Sequence, residues 1–362
     1  MKIHLTAGAR PNFMKIAPLY RELKKHSWAE VRLIHTGQHY DQAMSQAFFQ
    51  DFGLSAPDIN LAVGSGSQAE QTAGVLVAYE KILLADRPDW VVVVGDVNST
   101  LACTLAAKKL NLRVAHLEAG LRSFDREMPE EINRLLTDAI ADLLLTPSPD
   151  ADLNLQREGV APARIVRVGN IMIDCLLMMT PQIEPLRAWR DFNLEKGGYA
   201  LATLHRPSNV DFPDALRAAA AELARVQEII PLIFPVHPRT RKKLMEFGLW
   251  DALAGRPNLV PTEPLGYIQF MSLVFGSKLL ITDSGGIQEE TSWLDIPCLT
   301  WRNSTERPIT TTHGTNELTP IGETAAAVRR ILAGAWKKRG VLELWDGQTA
   351  ARTAAALHDQ IF

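Results

Sequence analysis

Leu279–Glu290 reads LLITDSGGIQEE. Its first four residues are apolar or β-branched and read as a buried strand. Asp283-Ser284-Gly285-Gly286 reads as a turn, and Ile287-Gln288-Glu289-Glu290 as the acidic first turn of a helix. A strand that passes through a glycine turn into a helix is the repeating unit of a parallel α/β sheet. The same turn offers a hydroxyl and bare backbone N–H groups at a helix N-terminus, which together make a cradle for an anion. Glu289 and Glu290, one turn on, would repel phosphate but accept hydrogen bonds from sugar hydroxyls. Phosphates on the turn and ribose on the acid describe a nucleoside diphosphate. The loop lacks GxxxxGK[ST] and GxGxxG, so neither a Walker A nor a dinucleotide site is indicated.

Outward from this stretch the pattern repeats. Strands are expected at IHLTAG (3–8), VRLIHTG (31–37), WVVVVGD (90–96), RVAHLEAG (113–120), LLLTPS (143–148) and IVRVGN (165–170). A second series follows at YALATLH (199–205), PLIFPVH (231–237), NLVPTEP (258–264), KLLITDS (278–284) and PCLTW (297–301). Helices are expected between them, among them 14–26, 67–86, 98–110, 211–228 and 267–275. The stretch 171–196 contains Pro181, Pro185 and Gly197-Gly198 at its end, and is read as the hinge. The fold class is therefore α/β, with two doubly wound Rossmann-like domains facing a cleft. The first covers 1–170 and the second 171–343. In such sheets ligands bind beyond the carboxyl ends of the strands.

With 362 residues, the chain is long enough for two domains. A hydrophobic fraction of 46% and a charged fraction of 22% are those of an ordinary globular protein. The net charge of -3 argues against a nucleic-acid partner. No apolar run approaches the ~18–20 residues that span a bilayer, so no membrane partner is expected. Cys103, Cys175 and Cys298 lie far apart in apolar stretches and read as buried small hydrophobes in a reducing compartment. The N-terminus lacks the apolar core of a signal peptide, and the expected location is cytoplasmic.

The strand ends carry the chemistry. Gly8-Ala9-Arg10-Pro11 leads into a helix with Lys15, and suits either an anion site or a plain tight turn. Trp90, Val92, Val94 and Asp96 share one strand face. Asn98 and Ser99 already offer caps for the next helix, which leaves the Asp96 carboxylate as a site residue. His116 and Glu118 project together at the end of their strand and suit acid/base work. Metal ligation and a structural pairing of Glu118 with an arginine are the rival readings. In Pro129-Glu130-Glu131-Ile132-Asn133-Arg134, the glutamates suit the positive end of a helix and Glu130 pairs with Arg134 at i, i+4. Glu131 lies nearer the stripe of Ile132, Leu135, Leu136 and Ala139, which would leave it partly buried. Two later strands end in His205-Arg206 and His237-Pro238-Arg239, combinations that suit phosphate binding.

In combination and order, these motifs resemble the non-hydrolysing UDP-N-acetylglucosamine 2-epimerases, a family of the GT-B fold. The resemblance rests on Gly8-Ala9-Arg10-Pro11 with Lys15, Gly95-Asp96, His116–Arg122, Pro129–Arg134, His205-Arg206, Pro235-Val236-His237, Asp283–Glu290 and Thr305-Glu306-Arg307-Pro308. It implies catalytic roles for Asp96, Glu118, Glu130 and His205. It further implies UDP-sugar contacts by Arg10, Lys15, His116, Arg134, His237, Arg239, Ser284, Gly285, Gly286, Glu290 and Arg307. No metal or other cofactor is implied. A homodimer is, together with a C-terminal helix (344–362) that packs back on the first domain. The reaction implied is removal of the C2 proton with anti loss of UDP, then re-addition to a 2-acetamidoglucal. Rival functions on the same architecture are a hydrolysing 2-epimerase, a glycosyltransferase and a silent sugar-nucleotide sensor. This chain departs from the family pattern at Val97, where Thr is common. At the family's second, activating substrate site, Gln38-His39 are kept, but Tyr40 and Ser65-Gly66 replace charged residues. Non-cooperative kinetics are therefore expected.

Overall fold

The computed structural model describes residues 1–8, 10–37 and 51–360; the side chain of Arg10 lies outside this set, as do Gln38, His39 and Tyr40. The chain divides into two compact units: residues 1–178 with 343–362, and residues 179–342.

The first unit holds a seven-stranded sheet in the order β3-β2-β1-β4-β5-β6-β7. Its strands are β1 (Lys2–Ala7), β2 (Glu30–His35), β3 (Ile59–Asn60), β4 (Trp90–Val94), β5 (Arg113–Leu117), β6 (Leu143–Thr146) and β7 (Ile165–Arg167). The second holds a six-stranded sheet, β10-β9-β8-β11-β12-β13. Here the strands are β8 (Ala200–Thr203), β9 (Leu232–Pro235), β10 (Leu259–Thr262), β11 (Leu279–Thr282), β12 (Cys298–Thr300) and β13 (Asn316–Leu318). Every pairing is parallel. β4, β6, β9 and β11 are buried along their whole length, as strands covered on both faces must be. The chain order reverses at β1, between β2 and β4, and again at β8, between β9 and β11. These switch points leave a crevice at the strands' carboxyl ends.

The expected strands are all present but end earlier than the apolar pattern suggests. β4 stops at Val94 because Gly95 turns into the left-handed region at φ +69°. β3 and β13 were not expected, since two or three residues are too short to show a period. The stretch 171–196 opens as a helix, Ile171–Ile183, rather than as a hinge from residue 171. Ile171, Ile173, Cys175, Leu176, Met179 and Ile183 are buried along it, and Pro181, in its last turn, removes one N–H donor two residues before the helix ends. The division between units falls inside this helix, at 178/179 rather than at 170/171.

The C-terminal helix spans Thr349–His358 and packs on helix Arg10–Leu23 within the first unit. Asp174 caps it by accepting the Ala350 N–H at 2.7 Å. Asn98 and Ser99 do not cap helix Asn98–Lys109, whose first turn follows an uncapped Val97. Instead Asn98 donates to Gln68 and Gln71, and Ser99 pairs with Thr36. The three cysteines are buried, and burial pushes Cys103 to about 12 and Cys298 to about 11. Among the described residues no helix is long and apolar enough to cross a membrane.

Candidate active site

In the first unit the site grows from the ends of β1, β4 and β5. Helix Arg10–Leu23 begins beside the end of β1 and brings Asn12 and Lys15 to the end of β4. Asn12 accepts the Gly8 N–H at 3.2 Å and donates to the Val94 carbonyl at 3.1 Å. Lys15 pairs with Glu118 Oε2, and both side chains are buried. Gly95 is favoured here by its backbone and, more weakly, by the space around it. Its φ is positive, and a Cβ would stand 3.0 Å from Lys15 Nζ and 3.5 Å from Glu118 Oε2. Glu118 itself adopts φ +72°, a left-handed conformation that costs a non-glycine residue roughly 1–3 kcal/mol. Its Oε1 is buried and has no hydrogen-bond partner among the described residues. The rival pairing of Glu118 with an arginine is not what forms, since Lys15 takes that place.

Asp96 is half-buried and pairs with Arg134 Nη1. The rest of that guanidinium faces Glu131 Oε2, at 2.9 Å from Nε and 2.6 Å from Nη2. Glu131 also accepts the N–H groups of Ser123 and Phe124, both at 2.9 Å, and the Ser123 hydroxyl at 3.0 Å. Burial works against its charge, but the Ser123 N–H, Arg134 and the Phe124 N–H hold its carboxyl below the usual range. Glu131 is thus an anchor for the loop before its helix. Glu130 is half-buried and forms no hydrogen bond or ion pair among the described residues, so it does not make the i, i+4 pair with Arg134.

Helix Pro129–Ile140 faces inward with Glu131, Asn133, Arg134, Thr137 and Asp138, while Ile132 is 46% and Leu136 48% exposed. The apolar stripe therefore points out, opposite to the expectation. His116 is fully buried, with Nδ1 2.6 Å from Asp138 and Nε2 2.8 Å from the Gly95 carbonyl. It braces the backbone, and both ring nitrogens are already taken. Arg122 goes to Asp138 at 2.7 Å and Glu158 at 2.6 Å.

In the second unit Asp283, fully buried at the end of β11, organises the end of β8. It accepts the N–H groups of His205 and Arg206 and lies 2.9 Å from His205 Nδ1. Burial opposes its ionisation, but the contacts to His205 and the two N–H groups keep its carboxyl below the usual range. The His205 and His237 rings lie 5.7 Å apart. Burial, then the neighbouring His205 and Arg239, pushes His237 down against the pull of Asp283. Arg239 turns away to Asp211.

Ser284 is the N-cap position of helix Gly285–Trp293, and its hydroxyl caps nothing. A Cβ on Gly285 would meet Glu306 Oε1 at 2.7 Å and Arg307 Nη1 at 2.9 Å, so that guanidinium lies against the helix start. Arg307 pairs with Glu306, and its Nε stands 2.9 Å from Glu289 at an angle that makes an ion pair but no hydrogen bond. Glu290 accepts the Tyr267 hydroxyl at 2.8 Å. Asp138 and Tyr267 lie outside every motif of the sequence, while Glu306 lies within Thr305–Pro308 and Asp283 within the glycine turn, neither with an expected role of its own. An acid at a strand end was the available signal for Asp283, and a polar residue four places after Arg134 for Asp138.

The family model described as UDP-N-acetylglucosamine 2-epimerase matches residues 21–358. A UDP-N-acetylglucosamine 2-epimerase of Methanocaldococcus jannaschii is 44% identical over 323 residues, 88% of each chain. A UDP-2,3-diacetamido-2,3-dideoxy-D-glucuronate 2-epimerase of Pseudomonas aeruginosa is 39% identical, again over 88% of each chain. Among solved structures, the M. jannaschii UDP-GlcNAc 2-epimerase in complex with UDP-GlcNAc and UDP has a TM-score of 0.89 at 40% identity, covering 99% of this chain and 100% of that one.

Burial pushes Glu290 from its ordinary 4.5 up to about 8, with Tyr267 pulling down and Glu289 pushing up. The folded protein thus keeps a proton that the unfolded chain gives up near 4.5. Stability from this group is full below that pH and is lost as pH rises through about 8. Glu290→Gln is expected to flatten the fall of Tm between pH 6 and 9, and to exceed the parent's Tm at the alkaline end. Thermal melts across that range check this, and parallel curves for both proteins would remove the buried-acid reading.

Proposed function

This chain belongs to the UDP-N-acetylglucosamine 2-epimerase family, and we propose that it is a non-hydrolysing member, interconverting UDP-N-acetylglucosamine and UDP-N-acetylmannosamine. A carboxylate takes the C2 proton, the C–H electron pair forms the C1–C2 double bond, and the C1–O bond breaks with UDP leaving on the opposite face. UDP then adds back to C1 of the 2-acetamidoglucal while a second acid protonates C2 from the other side. The observation that carries this reading is Glu118: strained, buried, fixed by Lys15 through one oxygen and unpartnered at the other. A carboxylate held through one oxygen keeps the other oriented for a proton transfer. Asp96 and Glu130 supply the other proton transfers. Asp283 steadies His205, which answers the charge that develops on the departing diphosphate.

UDP is assigned to the second unit's helix start: phosphates at Ser284, Gly285 and Gly286 with Arg307 beside them, ribose at Glu290. In the first unit Arg10 and Lys15 are proposed as anion contacts at the end of β1, and in the second unit His237 lies next to His205. Arg134, Arg239 and His116 are assigned otherwise. Arg134 holds Asp96, Arg239 holds Asp211, and His116 braces Gly95. Three buried thiols outside any disulfide fit a reducing cytoplasm.

A second copy of the chain is proposed as partner. The outward stripe of Ile132 and Leu136, with Phe124 75% exposed nearby in sequence, is the kind of apolar face a homodimer buries.

Three measurements test these readings. Incubated with UDP-N-acetylglucosamine in D₂O and no acceptor, the protein is expected to yield UDP-N-acetylmannosamine with deuterium at C2, followed by NMR. Stoichiometric free UDP and free sugar would point to the hydrolysing rival. Product without deuterium would end the C2 proton-exchange mechanism, and the same assay with UDP-2,3-diacetamido-2,3-dideoxyglucuronate ranks the substrates. Asp96→Asn, Glu118→Gln and Glu130→Gln should each lower turnover by ~10²–10⁴-fold with UDP affinity largely kept; any variant with near-normal turnover loses its catalytic assignment. Sedimentation should find a dimer that Leu136→Glu converts to monomer, and a monomeric parent would refute the partner assignment.

A further inference from the structure

We propose that Asp138, through His116, is the positioning residue that sets both catalytic turns of the first unit. The inference rests on the epimerase reading above and concerns how its carboxylates are held. Asp138 lies on the inward face of helix Pro129–Ile140 and is 1% exposed. One of its oxygens meets His116 Nδ1 at 2.6 Å. The other accepts the Gly120 N–H at 3.0 Å and faces Arg122 Nη1 at 2.7 Å. On its far side, His116 Nε2 reaches the Gly95 carbonyl at 2.8 Å.

The two backbone groups so fixed flank the reactive residues. Gly95 precedes Asp96, and Gly120 lies two residues after Glu118. Both turns run through left-handed backbone, Gly95 at φ +69° and Glu118 at φ +72°. The Glu118 conformation needs outside restraint to persist. Leu145 supplies part of it, accepting the N–H groups of Glu118 and Ala119. Beside the direct bond from the Gly95 N–H to the Leu117 carbonyl, Asp138 adds a side-chain tie from the Gly120 N–H through His116 to the Gly95 carbonyl, and so links the Glu118 turn to the Asp96 turn a second time. Burial opposes a charge on Asp138, but His116, Arg122 and the Gly120 N–H outweigh it and hold the carboxyl low. The tie therefore stays formed through the neutral pH range. Asp138 touches no reacting atom in this account. It works by keeping the free oxygen of Glu118 and the carboxylate of Asp96 where they are, and a displacement of about 1 Å can cost a hundredfold in rate.

The test separates positioning from mere stability. Asp138→Ala, assayed below its own melting temperature and normalised to UDP-binding sites by calorimetry, should lose about 10²-fold in kcat while UDP affinity and KM stay within a few-fold. Asp138→Asn keeps one oxygen for Gly120 and Arg122 and offers its amide to His116, so it should recover most of that loss. Glu158→Gln contacts the same Arg122 from the outside and should lower Tm with kcat per site unchanged. If Asp138→Ala does not fold, His116→Gln, which cuts the tie at its middle, should show the same kcat loss with UDP binding kept. Unchanged kcat per site in Asp138→Ala or His116→Gln, or a loss of UDP affinity in step with kcat, would overturn the proposal. A wild-type protein that does not epimerise would refute the functional reading instead, so the two failures are distinguishable.

Discussion

The buried pair of Lys15 and Glu118 is the constraint from which the first unit's site follows. It joins the helix after β1 to the end of β5 across the end of β4. An ammonium and a carboxylate out of water persist only together, and removing one partner typically costs roughly 3–5 kcal/mol. The pair leaves a Cβ at position 95 only a tight fit against Lys15 Nζ, and the positive φ there favours glycine. Glycine there bends the chain, and the bend delivers Asp96 to Arg134. Arg134 in turn needs Glu131, which fastens the Ser123–Phe124 loop. The motifs at separate strand ends are thus links of one chain of charge compensation.

That connection explains what could be read from sequence. Strands stood out because parallel strands are apolar on both faces, and their ends stood out because charge appears abruptly after them. Helix Pro129–Ile140 was read inside out for the opposite reason. Hydrophobic periodicity finds the buried face only where the core beside a helix is apolar. Here the helix borders the site, so its inward face carries Glu131, Arg134 and Asp138, and its apolar face is left outside. Local pairing rules failed likewise. Arg134 at i, i+4 from Glu130 bonds to Glu131 and Asp96, since burial rewards the partners that satisfy most of its donors. Arg239 looked like a phosphate ligand because it follows a strand-end histidine, but an exposed arginine takes the nearest carboxylate, Asp211. Helix Ile171–Ile183 is obscured in the sequence by Pro181, a helix breaker that the buried apolar residues before it outweigh.

The second unit raises a different question: how an anion cradle tolerates Glu289, Glu290 and Glu306 within one turn of its glycines. Charge is reduced in two ways. Glu306 and Glu289 are paired with Arg302 and Arg307, so two acids meet two cations. Glu290 pairs with no cation among the described residues, and burial pushes its carboxyl up to about 8, which favours the protonated form at neutral pH. At neutral pH the cluster is then close to balanced, and the N–H groups of the helix start dominate what a phosphate meets. A protonated Glu290 also offers a diol one donor and one acceptor, where a carboxylate would offer acceptors alone. The two adjacent glutamates that looked like an obstacle to phosphate are therefore unlike each other. Glu289 fixes the guanidinium beside the glycine turn, and burial pushes the Glu290 carboxyl up, with the neighbouring Glu289 adding to the rise.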